Sequence, residues 1–365
     1  MQYGLKRTVA LALLTFAWSR AGAQPVSKVE RVVGDGRAVH QRMLSLSDSG
    51  FSGAVIVERN DTLLLAAGYG LANRERKIPF SSSTIAQVGS ITKQFTATAI
   101  ADLVGRGRLR YADSLATLFP DVPAQARGIT IDQLLTHTSG LRDDCGGDFM
   151  RVTKAELLHR CLGQPMLHAP GGGFAYSNLG YSVLGAVVEQ AAGERLEPYL
   201  HDRFFAPLGL VRTGYFLPGI DADSFAVGYD NGMAQANIQT RMLALDSSFW
   251  NLKGNGGMQS TVDEMYRWYR ALRSGPTITD EMRKALFSRH AEQVPGVYYG
   301  YGWFVRTDSL GRTTQVSHSG SDGVFIALWY WRPIDRVFIY TVSNFGESDL
   351  AKGAVAAIRK VLGMK

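Results

Sequence analysis

Val88-Gly89-Ser90-Ile91-Thr92-Lys93-Gln94-Phe95-Thr96 is the stretch from which the rest of this chain is best read. A serine and a lysine three places apart at the start of a helix lie on one face, about one turn apart, so their side chains can meet. An unaided serine hydroxyl is a poor nucleophile and needs a base within hydrogen-bond reach. A lysine becomes that base only where a buried, cationic neighbourhood lowers its pKa toward ~7–8. Ser-x-x-Lys alone is a weak signal, because a lone match usually marks a helix start with a solvated lysine. The residues that follow change this. Ile91, Phe95, Ile100, Leu103 and Val104 recur at helical spacing, with Ala97, Ala99 and Ala101 between them. A helix apolar nearly all round is a buried one, and a buried lysine needs a partner. Ser90 would also sit where the helix dipole and free backbone N–H groups favour developing negative charge.

Outward from this helix, the start of the chain reads as an export signal. Lys6 and Arg7 precede an apolar stretch from Thr8 to Ser19, and Ala21-Gly22-Ala23 supplies small residues for cleavage. The expected division is a signal peptide over 1–23 and one mature domain over 24–365, periplasmic or secreted. The apolar stretch is too short for a stable membrane span. The formal net charge is +7, and removing Lys6, Arg7 and Arg20 leaves +4. With no basic run interleaved with aromatics, nucleic acid is not an expected partner. Export would let a disulfide persist. Cys145 and Cys161 are either such a bridge or two separate buried thiols.

The hydropathy pattern gives a helical lead from about Val29 to Leu46. A hairpin of Phe51–Val57 and Thr62–Gly68 follows, turning at Glu58-Arg59-Asn60-Asp61. Thr130-Ile131-Asp132-Gln133 is a capping box opening a short helix that ends at Gly140. A mainly helical lobe spans about 107–290. Four β-rich stretches come next: Gly300–Val305, Thr313–Ser317, Val324–Trp331 and Val337–Val342. A last helix runs from about Ser348 to Leu362. Strands at both ends of the chain with helices inserted between them predict an α+β fold. Its antiparallel sheet is flanked by the N- and C-terminal helices, with the helical lobe alongside. The cleft between the two parts is the expected ligand site.

Four further segments carry a resemblance. Leu134-Leu135-Thr136-His137-Thr138-Ser139-Gly140-Leu141 is one, and Pro170-Gly171-Gly172-Gly173-Phe174-Ala175-Tyr176-Ser177-Asn178 is another. Gly254 to Thr261 is glycine-rich, and His318-Ser319-Gly320 directly follows the predicted stretch Thr313–Ser317. In this order, with the Ser90 segment, they resemble the serine β-lactamase and penicillin-binding-protein superfamily, over nearly all of the mature chain. The branch is that of class C β-lactamases, esterases and D-amino-acid peptidases. The resemblance implies Ser90 as the nucleophile of an acyl-enzyme and Lys93 as its proton shuttle. Tyr176 would be a general base and acid, as phenolate or through Lys93. Asn178 would bind substrate and hold Lys93. The backbone N–H groups of Ser90 and Ser321 would form the oxyanion hole, and His318 and Gly320 would line the substrate.

His318 is a departure, since the family's better-known members carry lysine on this strand. An imidazole is mostly neutral at pH 7 and gains charge on acidification, so a substrate carboxylate would be attracted less at neutral pH. His137 reads as structural, because the capped helix and turn already explain it, and Glu197 reads as helix surface. The expected protein is an exported serine hydrolase acting through a covalent acyl-enzyme on a carboxylester, a D-amino-acid peptide or a β-lactam. The alternative is a penicillin-binding or sensor-type protein that acylates without efficient hydrolysis. Its partner is a small-molecule or short-peptide substrate, and no cofactor or metal is expected. The sequence leaves its oligomeric state open.

Overall fold

A computed structural model describes residues 27–345 and 348–364; the signal-peptide reading of 1–23 lies outside them. The chain opens with β1 (Ser27–Val32) and α1 (Gly36–Asp48). The sequence places helix from Val29, but Ser27–Val32 pairs with β3 as an edge strand. Its side chains are nearly all exposed, so no alternation of apolar and polar residues betrays it. The hairpin of β2 (Gly53–Arg59) and β3 (Thr62–Tyr69) is present. Its turn is tighter than expected, with only Asn60 and Asp61 at positive φ, 50° and 63°. Two such residues match the twist of a two-residue hairpin.

A 3-10 turn, Gly89–Ile91, runs into α2 (Thr92–Gly105), which is buried from Thr92 to Leu103. The capping box opens α3 (Ile131–Leu135). This helix stops short of Gly140 because His137 adopts φ of 58°, outside the helical range. Next come α4 (Asn178–Ala192), α5 (Ile238–Leu243) and α6 (Val262–Ser274). The C-terminal part contributes six strands rather than four: β4 (Ala291–Val294), β5 (Val297–Tyr299), β6 (Phe304–Thr307), β7 (Thr313–Ser321), β8 (Ile326–Arg332) and β9 (Val337–Ser343). Gly300 to Trp303 form the connection between β5 and β6. Their buried aromatic residues imitate a strand in sequence. The helix α7 (Ser348–Val361) ends the fold.

These nine strands join one antiparallel sheet in the order β1-β3-β2-β9-β8-β7-β6-β5-β4. The central strands are buried on both faces. Val55 and Val57 of β2 pack with Val39, Met43, Ala354 and Ile358 of the terminal helices. The alternate residues Ala54 and Ile56 share the second core with Phe95 of α2 and Trp268 of α6. The period of two along each strand thus serves two cores. Cys145 and Cys161 form a disulfide that ties the loop after α3 to the helical run at Lys154–Cys161. Among the described residues no helix is long and apolar enough to cross a membrane.

Candidate active site

The site forms where the N-terminal ends of α2 and α4 meet the end of β7. Gly89 has φ of 52°, and a Cβ there would come 2.5 Å from the Ser321 nitrogen. A Cβ on Gly320 would come 1.9 Å from the Val88 carbonyl oxygen and 3.0 Å from the Ser90 nitrogen. Only glycine lets the two backbones touch in this way. The amides of Ser90 and Ser321, expected to share an oxyanion, therefore lie on adjoining segments.

Lys93 is fully buried. Its Nζ lies 3.1 Å from Ser90 Oγ, 2.6 Å from Asn178 Oδ1 and 2.9 Å from the Asn255 carbonyl oxygen. The last two atoms can only accept, so a neutral amine donates its two hydrogens to them. Its lone pair is then left for the Ser90 hydroxyl. Burial lowers the Lys93 pKa to about 7, while Asp143 and Asp148 oppose the shift. Among the described residues no cation contributes to this shift: desolvation moves the pKa, against a surrounding negative field.

Asn178 is the first residue of α4. Ser177 caps that helix by accepting from the Gly180 N–H, and the Asn178 N–H donates to Asp143 Oδ1 at 3.0 Å. α4 packs against α2, which brings the Asn178 amide to Lys93. The Tyr176 ring centroid is 4.9 Å from Lys93 Nζ, and its hydroxyl is near enough to Ser90 to be influenced by it. Burial pushes the phenol well above its ordinary range. The phenolate form is therefore disfavoured.

His137 is more than a turn residue. Its Nδ1 accepts the Ser177 N–H at 3.0 Å, and its carbonyl accepts the Ala175 N–H at 2.8 Å. Its ring lies 4.2 Å, centroid to centroid, from that of Tyr176. It thus grips the backbone on both sides of Tyr176 and backs the ring. With Nδ1 accepting, the proton sits on Nε2, a buried atom with no partner among the described residues.

His318 departs from its expected role. Its Nε2 accepts the Tyr299 hydroxyl hydrogen at 3.0 Å, and its Nδ1–H donates to the Ser319 carbonyl at 2.6 Å. The ring packs against Phe304, Tyr299 and Tyr176. Burial, helped by the Lys93 charge, lowers its pKa to about 3. It stays neutral on mild acidification, and both ring nitrogens are used inside the protein. A substrate contact through this imidazole, switched by pH, does not fit the structure.

Asn255 was not singled out in the sequence, because it serves through a backbone carbonyl. Its side chain donates to Ser182 Oγ and the Asn251 carbonyl at 2.8 and 2.7 Å. Thr96 Oγ1 donates to the neighbouring Gly254 carbonyl at 2.7 Å. The adjoining Lys253 is buried and pairs with Glu189 at 2.6 Å and Glu197 at 3.0 Å. Glu197 is thus an ion-pair partner holding the Asn255 loop, not bare helix surface. A small cavity opens over Ser90, lined by Gln87, Asp148, Asn178, Asn255, Ser321 and Asp322 among others.

Residues 31–362 match the Beta-lactamase family. The chain is 30% identical over 264 residues to the putative penicillin-binding protein PbpX of Bacillus subtilis (strain 168), covering 72% of this chain and 64% of that protein. It is 27% identical over 289 residues to penicillin-binding protein 4* of the same strain, covering 74% and 63%. The chain therefore spans less than two thirds of the length of these relatives. The crystal structure of a penicillin binding protein from Bacillus halodurans superposes with a TM-score of 0.75 at 26% identity, over 88% of this chain and 99% of that one. The octameric penicillin-binding protein homologue from Pyrococcus abyssi gives 0.75 at 24% identity, over 91% and 78%, which speaks to the fold alone.

Proposed function

The chain belongs to the Beta-lactamase family, and from that premise we propose that it is an exported serine hydrolase working through an acyl-enzyme on Ser90. The observation that carries this reading is the hydrogen-bond pattern of Lys93, which leaves its lone pair to Ser90 Oγ. Ser90 Oγ attacks the substrate carbonyl as its proton passes to the Lys93 amine. The backbone N–H groups of Ser90 and Ser321 stabilise the oxyanion, commonly a large catalytic contribution. The tetrahedral intermediate collapses as the proton moves from Lys93, through the protonated Tyr176 hydroxyl, to the leaving group. Water then attacks the acyl-enzyme carbonyl, its proton goes to Lys93, and that proton returns to Ser90 Oγ as the acid departs. Tyr176 acts here as a relay in its phenol form. Asn178 and the Asn255 carbonyl hold the amine, and His137 holds Tyr176.

The disulfide between Cys145 and Cys161 supports export to an oxidising compartment. The substrate is an ester or amide: a carboxylester, a D-amino-acid peptide or a β-lactam. The names of its relatives keep a second reading in view, a penicillin-binding protein that acylates and releases slowly. The test is intact-mass detection of an adduct after exposure to a fluorophosphonate, a p-nitrophenyl ester and a chromogenic cephalosporin. Ser90→Ala should abolish every adduct and nearly all turnover while its melting temperature stays within a few degrees. Labelling and turnover that survive in Ser90→Ala would refute the assignment. An acyl adduct from the ester or the cephalosporin that persists for hours would select the slow-release reading.

A further inference from the structure

The loop between α3 and the helical run at Lys154–Cys161 lies against the first turn of α4, and Asp143 makes the contact. The Asn178 N–H donates to its Oδ1 at 3.0 Å, and the Leu179 N–H donates to its backbone carbonyl at 2.7 Å. The Gly180 N–H donates to Ser177 Oγ at 2.9 Å, and that hydroxyl in turn donates to the Arg142 carbonyl at 2.6 Å. The first amides of a helix have no partner within it. In α4 the first three are satisfied, two of them by Asp143. A carboxylate here also suits the positive end of the helix. Beyond the contact the loop is anchored twice. Cys145 is bridged to Cys161, and the Asn251 side chain donates to the Gly146 and Gly147 carbonyls at 3.3 and 2.9 Å.

Asn178 is also the residue whose side chain holds Lys93 Nζ, at 2.6 Å. Asp143 thus fixes the backbone of Asn178 while the Asn178 amide oxygen orients the amine. The same carboxylate acts on Lys93 through space, favouring the ammonium form more than Asp148 does. The other titratable groups around the amine add no counter-charge. His137 and His318 are buried and neutral. The rings of Tyr176 and Tyr181 lie 4.9 and 5.6 Å from Nζ, and burial keeps both phenols protonated. Near Asp143 itself, the Arg142 guanidinium donates to the Pro165 carbonyl at 3.1 Å, and Asp144 accepts the Gly146 N–H at 3.2 Å within the loop. Arg241 attracts Asp148.

We propose, on the basis of the acyl-enzyme reading above, that Asp143 is a positioning residue for acylation: through the Asn178 backbone it aims the amide that orients Lys93, and its charge stabilises the ammonium formed when the Ser90 proton arrives. As Ser90 Oγ attacks the substrate carbonyl, its proton moves to the Lys93 amine, so a cation appears where burial opposes one. A carboxylate fixed nearby offsets part of that cost. Asp143 acts through Lys93 and Asn178, not on the substrate. Its two effects are separable, because asparagine at 143 keeps an acceptor for the Asn178 N–H and removes only the charge.

The experiment measures single-turnover acylation by a p-nitrophenyl ester across pH in the wild type, Asp143→Asn, Asp143→Ala and Asp144→Asn. In Asp143→Asn the midpoint of the rate profile should move to lower pH by about half a pH unit or more. Asp143→Ala should show the same shift, and because it also leaves the Asn178 N–H unpaired, its limiting rate should fall about tenfold or more below that of Asp143→Asn. Asp144→Asn removes an equal charge from the same loop and should leave the midpoint in place. A variant can fail to fold, so the wild type is also measured from about 0.05 to 0.5 M salt. Asp143 is exposed, and screening should lower the wild-type midpoint toward that of Asp143→Asn. An unmoved midpoint in Asp143→Asn would overturn the proposal, as would an equal shift in Asp144→Asn. Equal limiting rates in the asparagine and alanine variants, or a wild-type midpoint that holds or rises with salt, would do the same. Each of these leaves the nucleophile assignment intact. Absence of any adduct on Ser90 in the wild type would instead overturn the acyl-enzyme reading on which the proposal rests.

Discussion

If Lys93 is the base that activates Ser90, acylation should titrate with the lysine, and the structure says where. Burial lowers its pKa from 10.5 to about 7. At pH 7 about half the molecules then hold a neutral amine. An ordinary lysine would be neutral in only about one molecule in 3,000 at that pH. The acylation rate constant, measured by stopped flow with a p-nitrophenyl ester in single turnover from pH 5 to 9, should rise about tenfold per pH unit below 7. It should level off above that. Lys93→Arg, with a guanidinium that stays charged, should lose the rise together with nearly all of the rate. A flat profile from pH 5.5 to 8.5, or a midpoint above 9, would refute the reasoning.

The same shift has a stability consequence of fixed sign. The native state binds fewer protons than the unfolded chain between the two pKa values of Lys93, 7 and 10.5. Unfolding free energy must therefore rise with pH across that window. The cost of keeping this lysine buried is absent above pH 10.5 and fully present below 7, at about 5 kcal/mol. From pH 7 to 9 the wild type should gain about 2 kcal/mol from this group alone. Lys93→Met should remove that part of the slope, and identical slopes in denaturant titrations of the two proteins would count against the lowered pKa.

His318 should behave as a neutral structural imidazole. Its pKa falls from 6.5 to about 3, so stability is lost as pH drops below 6.5, by about 2 kcal/mol between pH 7 and 5. His318→Gln should be less pH-sensitive by that amount in urea titrations at the two pH values; parallel curves would show that the imidazole titrates freely. His137 should act through Tyr176. His137→Ala removes the acceptor for the Ser177 N–H and the ring behind Tyr176, and a displacement of about 1 Å there can cost ~100-fold in kcat. His137→Asn keeps an acceptor and tolerates positive φ, so it should recover part of the loss in kcat with KM little changed. Activity within threefold of wild type in His137→Ala would remove this role.

What was legible in the sequence is what depends on spacing along one element. Ser90 and Lys93 meet because a helical turn brings them together, and the apolar run behind them announced the burial that sets the lysine's pKa. Thr130 and Gln133 form their capping box because both partners belong to one turn. What stayed hidden depends on long-range contacts or on atoms without side-chain identity. β1 and β4 are edge strands whose exposed residues show no alternation. Asn255 supports Lys93 with a carbonyl that any residue could supply, and its loop is pinned by Lys253 pairing with Glu189 and Glu197. The fate of His318 turned on Tyr299, which lies two strands away in the sheet.

The expectation that failed most usefully concerns the cause of the lysine's depressed pKa. A serine–lysine pair at helical spacing calls for cations near Lys93, and an ordinary histidine at 318 would become one at low pH. The structure supplies acids, Asp143 and Asp148, and obtains the shift from burial alone. The two facts fit together. Each protonated group lowers the pKa of the other, since Lys93 depresses His318 and the coupling is mutual. A permanently charged residue at 318 would push Lys93 further down and make its ammonium, needed to protonate the leaving group, harder to form. A neutral histidine, locked by Tyr299 and Ser319, leaves the amine poised near pH 7, where accepting and returning a proton are comparably easy. In this chain, then, histidine at 318 keeps the strand rigid and the lysine tuned.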